Sequence, residues 1–111
     1  QAMRIRNYPL AVRFFNDLIK EEPNFAEAWN KRATVYFMMG DFDKSMQDII
    51  KTLELEPRHF GALDGMGLIF IHQGQYQEAI DVYDKMLEIF PFSIKTLEKK
   101  ESIKSFISQS T

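Results

Sequence analysis

Three prolines, Pro23, Pro57 and Pro91, stand 34 residues apart in a chain of 111. A fixed period of about 20 to 50 residues marks a stacked repeat, in which each unit buries its apolar face only against its neighbours. Residues 26–59 lie over residues 60–93 without a gap. The identical pairs are few: Ala28/Ala62, Gly40/Gly74, Lys51/Lys85, Leu53/Leu87, Glu54/Glu88 and Pro57/Pro91. Physical class is kept more widely. Small residues pair at Ala33/Gly67 and Ser45/Ala79, aromatics at Tyr36/Phe70 and Phe42/Tyr76, and large apolar residues at Trp29/Leu63, Met46/Ile80 and Ile49/Tyr83.

The register also runs backward. Tyr8, Ala11, Val12, Phe15 and Ile19 fall one period before Phe42, Ser45, Met46, Ile49 and Leu53, so residues 7–22 read as the second half of a repeat. After Pro91 the stripe Ile94, Leu97, Ile103, Phe106, Ile107 continues in a sequence that drifts toward lysine and serine, and 94–109 reads as a closing helix.

Within each repeat the spacing is helical. Trp29, Ala33, Tyr36 and Phe37 share one face, and Met46, Ile49, Ile50 and Leu53 share another. Gly40 supplies a left-handed stop and Asp41 caps the next helix. Asn24 and Glu27 read as a capping box. Small residues at 33/67 and 45/79 let paired helices approach. The expectation is an all-α chain of antiparallel helix pairs forming one repeat domain over 1–111: a partial repeat at 7–22, full repeats at 26–59 and 60–93, and a helix at 94–109.

Composition narrows the function. With 45% hydrophobic and 27% charged residues the chain is globular. A net charge of −2, with both signs mixed along the chain, argues against a nucleic-acid surface. Without cysteine there are no disulfides or thiolate metal sites. No apolar run reaches the roughly 18 residues of a membrane span, and no signal-peptide pattern opens the sequence. The first residues, Gln1-Ala2-Met3, read as a cloning remnant, and the sequence is compatible with a fragment of a longer protein.

Three groups of residues invite a chemical reading. His59 and His72 are the two histidines, and neither has the neighbours a metal needs. Asp41, Asp43, Asp48, Asp81 and Asp84 read as caps, dipole partners and solvent-facing charges, since no nucleophile or phosphate loop accompanies them. No enzymatic activity and no cofactor is expected. Gly61, Gly65 and Gly67 crowd one helix. Gly67 has a packing reason in the close helix crossing, whereas Gly61 and Gly65 suggest a smooth floor for a partner's backbone.

These residues resemble the tetratricopeptide repeat family. The likeness rests on Trp29, Ala33, Tyr36, Gly40, Phe42, Ser45, Thr52 and Pro57, then on Leu63, Gly67, Phe70, Gly74, Tyr76, Ala79 and Pro91, with Met86 where a small residue is usual. It covers residues 7–93. The resemblance implies a right-handed superhelical stack whose concave groove holds an extended peptide or a partner helix. Groove positions would be Glu27, Asn30, Thr34, Phe37, Met38 and Asp41, then Gly61, Asp64, Gly65, Leu68, Ile71, His72 and Gln75, and on the last helix Lys95, Glu98, Ser102, Ser105 and Phe106.

Members that grip the C-terminal carboxylate of heat-shock chaperones use a lysine and two asparagines, then a lysine and an arginine. Here Asn30 and Thr34 stand at the first positions, and Gly61 and Gly65 at the last in the second full repeat. The resemblance therefore disfavours that mode. An apolar groove built on Phe37, Met38, Leu68 and Ile71, with Asn30 and Asp64 orienting the partner and His72 donating to it, is the expected alternative.

The expected function is a non-catalytic protein-interaction scaffold. Two rivals stand beside it: self-association through terminal helices with Phe14 and Leu18 uncovered, and a regulatory domain of a larger protein. The sequence fits cytoplasm, organelle or periplasm, with cytoplasm slightly favoured.

Overall fold

The computed structural model describes residues 7–110, and the leading Gln1-Ala2-Met3 lies outside the described residues. Among those described the regular elements are six helices and no strand: α1 Tyr8–Glu21, α2 Ala26–Met38, α3 Phe42–Leu55, α4 Phe60–His72, α5 Tyr76–Ile89 and α6 Ile94–Ser110. The 34-residue period is written into the backbone hydrogen bonds. Just before each periodic proline a helix closes with the same bond: Glu22 to Leu18, Glu56 to Thr52 and Phe90 to Met86, each 2.8 Å. Proline cannot continue a helix, so the bonds fall where they must. The tight turns repeat as well. Gly40 and Gly74 take φ of 79° and 75°, a region that penalises a side chain. Asp41 and Gln75 then donate back to Tyr36 and Phe70.

The chain divides into two compact units, described residues 7–62 and 63–110, with the division inside α4. In the first unit α2 packs against α1 and α3. Ala33 and Ser45 meet so closely that the Ser45 hydroxyl donates to the Ala33 carbonyl at 2.7 Å. Asn7 and Asp41 cap α1 and α3 through their side chains.

Several expectations are corrected in this unit. The Asn24–Glu27 capping box does not form: α2 is capped by Phe25 without a side-chain bond. Glu27 instead accepts from His59 Nε2 at 2.9 Å. Asp48 is not a solvent-facing charge but buried, while Ile50, expected on the buried face, is exposed. The cause is Arg32. Its Nε and Nη2 both donate to the Asp48 carboxylate at 2.8 Å, and Nη1 donates to Asn16 at 2.7 Å. The guanidinium stacks on Trp29 and Tyr36, 5.1 and 5.8 Å from the ring centroids. The hydrogen bond to Asp48 raises the Arg32 pKa above its ordinary value, despite desolvation. One arginine thus ties α1, α2 and α3 together.

Two further corrections concern the turn before α4. His59, expected to be solvent-facing, is half-buried, and its Nδ1 accepts from the Ala62 N–H at 3.0 Å. That bond leaves Nε2 to carry the proton given to Glu27. A Cβ on Gly61 would lie 3.3 Å from His59 Cε1 and 3.5 Å from Asn30 Nδ2. Gly61 therefore has a packing reason the sequence did not show.

In the second unit α5 packs against α6. Ala79, Tyr83 and Met86 are fully buried along α5. Ser93 caps α6, accepting from Thr96 N–H at 3.3 Å. The turn between α5 and α6 departs from the other two proline turns. Where they carry Glu22, Asn24, Glu56 and Arg58, this one carries Phe90 and Phe92, and Phe92 is 87% exposed.

Candidate functional site

The second unit contains a cleft of about 580 Å³. Leu68 and Ile71 of α4 line it, two residues one turn apart on the face the periodicity assigns to binding. Tyr76 and Tyr83 contribute from α5, and Lys95, Glu98, Lys99, Ser102, Ile103 and Phe106 from α6. The lining is chiefly apolar, as small-molecule and side-chain pockets are. The Tyr76 and Phe106 rings meet edge-on, with centroids 5.1 Å apart.

Two lysines of α6 are held by aspartates of the same unit, and one of them, Lys99, lines the cleft. Lys99 Nζ donates to Asp64 Oδ1 at 2.7 Å, and Lys100 Nζ to Asp84 Oδ1 at 2.6 Å. The bond to Asp84 holds the Lys100 pKa above its usual value. Tyr83 differs in being fully buried. Its hydroxyl is buried and has no hydrogen-bond partner among the described residues. Burial first, then the charge of Asp64, pushes its pKa up to about 12.

The residues expected to bind fall into separate groups. In the first unit Asn30 is half-buried beside Gly61, and Thr34 turns its hydroxyl back to the Asn30 carbonyl at 3.1 Å. Phe37 is half-buried with its ring 5.3 Å from Phe42, and Met38 is exposed at the end of α2. In the second unit Leu68 and Ile71 share the cleft. Asp64 and Gly65 are half-buried and His72 exposed, and none of the three lines it. Tyr76, Tyr83, Lys99 and Ile103 line the cleft but were not assigned to binding by the sequence. Tyr83 and Ile103 sit at core positions, so periodicity alone classes them as packing. Among the described residues no three His, Cys, Asp or Glu side chains cluster as metal ligands, and no helix is long and apolar enough to cross a membrane.

Comparison with known proteins agrees with this architecture. A tetratricopeptide repeat family model matches residues 31–94, more than half of the chain, and a second matches residues 14–47. The chain belongs to the tetratricopeptide repeat family. A TPR repeat-containing protein of Rhizobium etli is 42% identical over 91 residues, covering 82% of this chain and 45% of that protein. Hsp70-Hsp90 organizing protein 2 of Arabidopsis thaliana is 29% identical over 93 residues, 84% of this chain and 16% of its own. The chain thus spans less than half the length of these tetratricopeptide relatives. Among solved structures, the first tetratricopeptide domain of Spaghetti (RPAP3), bound to the HSP90 peptide SRMEEVD, superposes with a TM-score of 0.87 at 18% identity, covering 96% of this chain and 87% of that one. The Sgt2 domain from Aspergillus fumigatus gives 0.85 at 22%, covering 98% and 74%. At these identities the structural likeness carries the tetratricopeptide fold and no more.

Proposed function

We propose that this tetratricopeptide chain is a non-catalytic interaction scaffold that holds a peptide or helix of a partner protein. The observation that carries the reading is the apolar cleft of the second unit, with Leu68, Ile71 and Phe106 on its walls. A partner's apolar side chain entering it gains burial worth about 25 cal/mol per Å² of area removed from water. In the first unit Phe37 and Met38 offer further apolar contact, and Asn30, Thr34 and Gly61 are the other positions of the proposed set there. Asp64, Gly65 and His72 complete the proposed contact set. Residues 26–59 and 60–93 serve as full repeats in this reading, 7–22 as a partial one and 94–109 as the capping helix.

Family membership and the HSP90 peptide on one structural neighbour support a protein or peptide as the partner class. The carboxylate-gripping mode remains disfavoured by Asn30 and Thr34. One period beyond Gly61 and Gly65, however, stand Lys95 and Lys99, so two cationic positions reappear on α6. Lys99 is already held by Asp64.

Affinity capture with the full-length protein tests the reading. Partners recovered by wild type and by the surface control Gln47→Glu should be lost with Leu68→Glu. Equal recovery by all three refutes the cleft assignment. A second reading, self-association, draws on Phe14, which is 62% exposed on α1. A monomeric mass by sedimentation at high concentration would exclude it.

A further inference from the structure

The cleft of the second unit holds two lysines and one glutamate in its lining, and its charge depends on a residue outside that lining. Asp64, on α4, holds the ammonium of Lys99, on α6, at 2.7 Å. Lys95 and Glu98, the remaining charged residues of the lining, are exposed and of opposite sign. With Lys99 neutralised from within, the cleft presents no net charge to an occupant. Its walls are otherwise apolar.

We propose that Asp64 is a specificity-determining residue, an internal counter-ion that makes the cleft select a neutral apolar segment over an acidic one. The proposal rests on the interaction reading above. A carboxylate approaching Lys99 must displace Asp64 and also approach the Asp64 charge, so the acidic segment meets competition and repulsion together. A neutral side chain meets neither. The register shows that an acid here is a choice. One period earlier the same position is Asn30, which has the same shape and no charge.

Tyr83 is placed to report on this. Its orphan hydroxyl lies buried at the cleft wall, where the Asp64 charge reaches it. Removing that charge should lower the Tyr83 titration without unfolding the chain, which a purely mechanical role for Asp64 would not do.

Two synthetic amphipathic peptides, capped at both ends and carrying one leucine anchor, test the proposal. One has glutamate flanking the anchor and the other glutamine. Wild type should bind the glutamine peptide more tightly. Asp64→Asn should tighten the glutamate peptide, relative to the glutamine peptide, by about three- to fivefold, a size set by the modest strength of half-exposed ion pairs. The readout is the ratio of the two affinities, in which any contact Asp64 makes to both peptides cancels. Adding Lys99→Gln to Asp64→Asn should abolish the gain. Circular dichroism confirms that each variant is folded, and Asp64→Glu, which keeps the charge, should retain the wild-type preference. If the glutamine peptide binds wild type but the preference is unchanged in Asp64→Asn, the counter-ion proposal is wrong while the interaction reading stands. If the glutamine peptide does not bind wild type, both are overturned.

Discussion

Tyr83 occupies the space that Gly67 leaves empty: a Cβ on residue 67 would lie 2.8 Å from Tyr83 Cε1 and 3.0 Å from its hydroxyl. The large residue on α5 and the absent side chain on α4 are one packing decision. Gly67→Ala should therefore destabilise the chain by about 1–3 kcal/mol, although alanine is the better helix former. Urea denaturation measures the loss, and Tyr83→Leu in the same chain should relieve much of it. Additive losses in the double variant would show that the two residues do not interlock.

Tyr83→Phe removes a buried hydroxyl without a partner, so stability should rise by about 1 kcal/mol. The pH dependence has a definite sign. The folded chain keeps the Tyr83 proton up to about pH 12, while the unfolded chain loses it near 10. The stabilisation is fully present below pH 10 and is lost as pH climbs toward 12, by about 2–3 kcal/mol in all. Denaturation midpoints measured across that window should fall less steeply for Tyr83→Phe than for wild type.

The Arg32–Asp48 pair stands one period before Met66 and Val82, so the next repeat fills the same places with apolar side chains. Asp48→Ala strands a desolvated guanidinium and should cost about 3 kcal/mol. The double change Arg32→Met, Asp48→Val copies the neighbouring repeat and should recover most of that loss, as buried pairs replaced by packed apolar groups generally do. Thermal unfolding of the three proteins gives the comparison. A double variant less stable than Asp48→Ala would refute the equivalence.

His59→Ala deletes both the cap on Ala62 N–H and the bond to Glu27. The expected cost is about 1 kcal/mol, typical of losing a helix cap. His59→Asn keeps a capping acceptor and should lose less. Hydrogen exchange at the first turn of α4 should quicken in the alanine variant before the rest of the chain responds.

The helices were legible because their signals are local. The 34-residue proline spacing, Gly40 and Gly74 at the tight turns, and Asp41 as a cap each act within a few residues of themselves. Leu68 and Ile71 could be assigned to one face because a helix has one period. What escaped were partnerships between helices. Asp48 looks like any surface acid until Arg32 is brought beside it. Glu27 looks like a capping-box residue until His59, 32 residues on, claims it. Lys99 and Asp64 lie 35 residues apart, and one sequence alone cannot choose which lysine a given aspartate meets. Side-chain length compounds the difficulty, because arginine and lysine reach positions the backbone period does not mark.

Arg32 reaches 16 residues back to Asn16 and 16 forward to Asp48. Its anchor therefore closes only short loops, the kind whose entropic cost is small and whose formation is fast. A chain lengthening from its N-terminus on the ribosome has every partner of Arg32 once α3 is made. At that moment neither Tyr83 nor Lys99 has been added, so the first unit can acquire its polar anchor before the cleft-bearing unit exists.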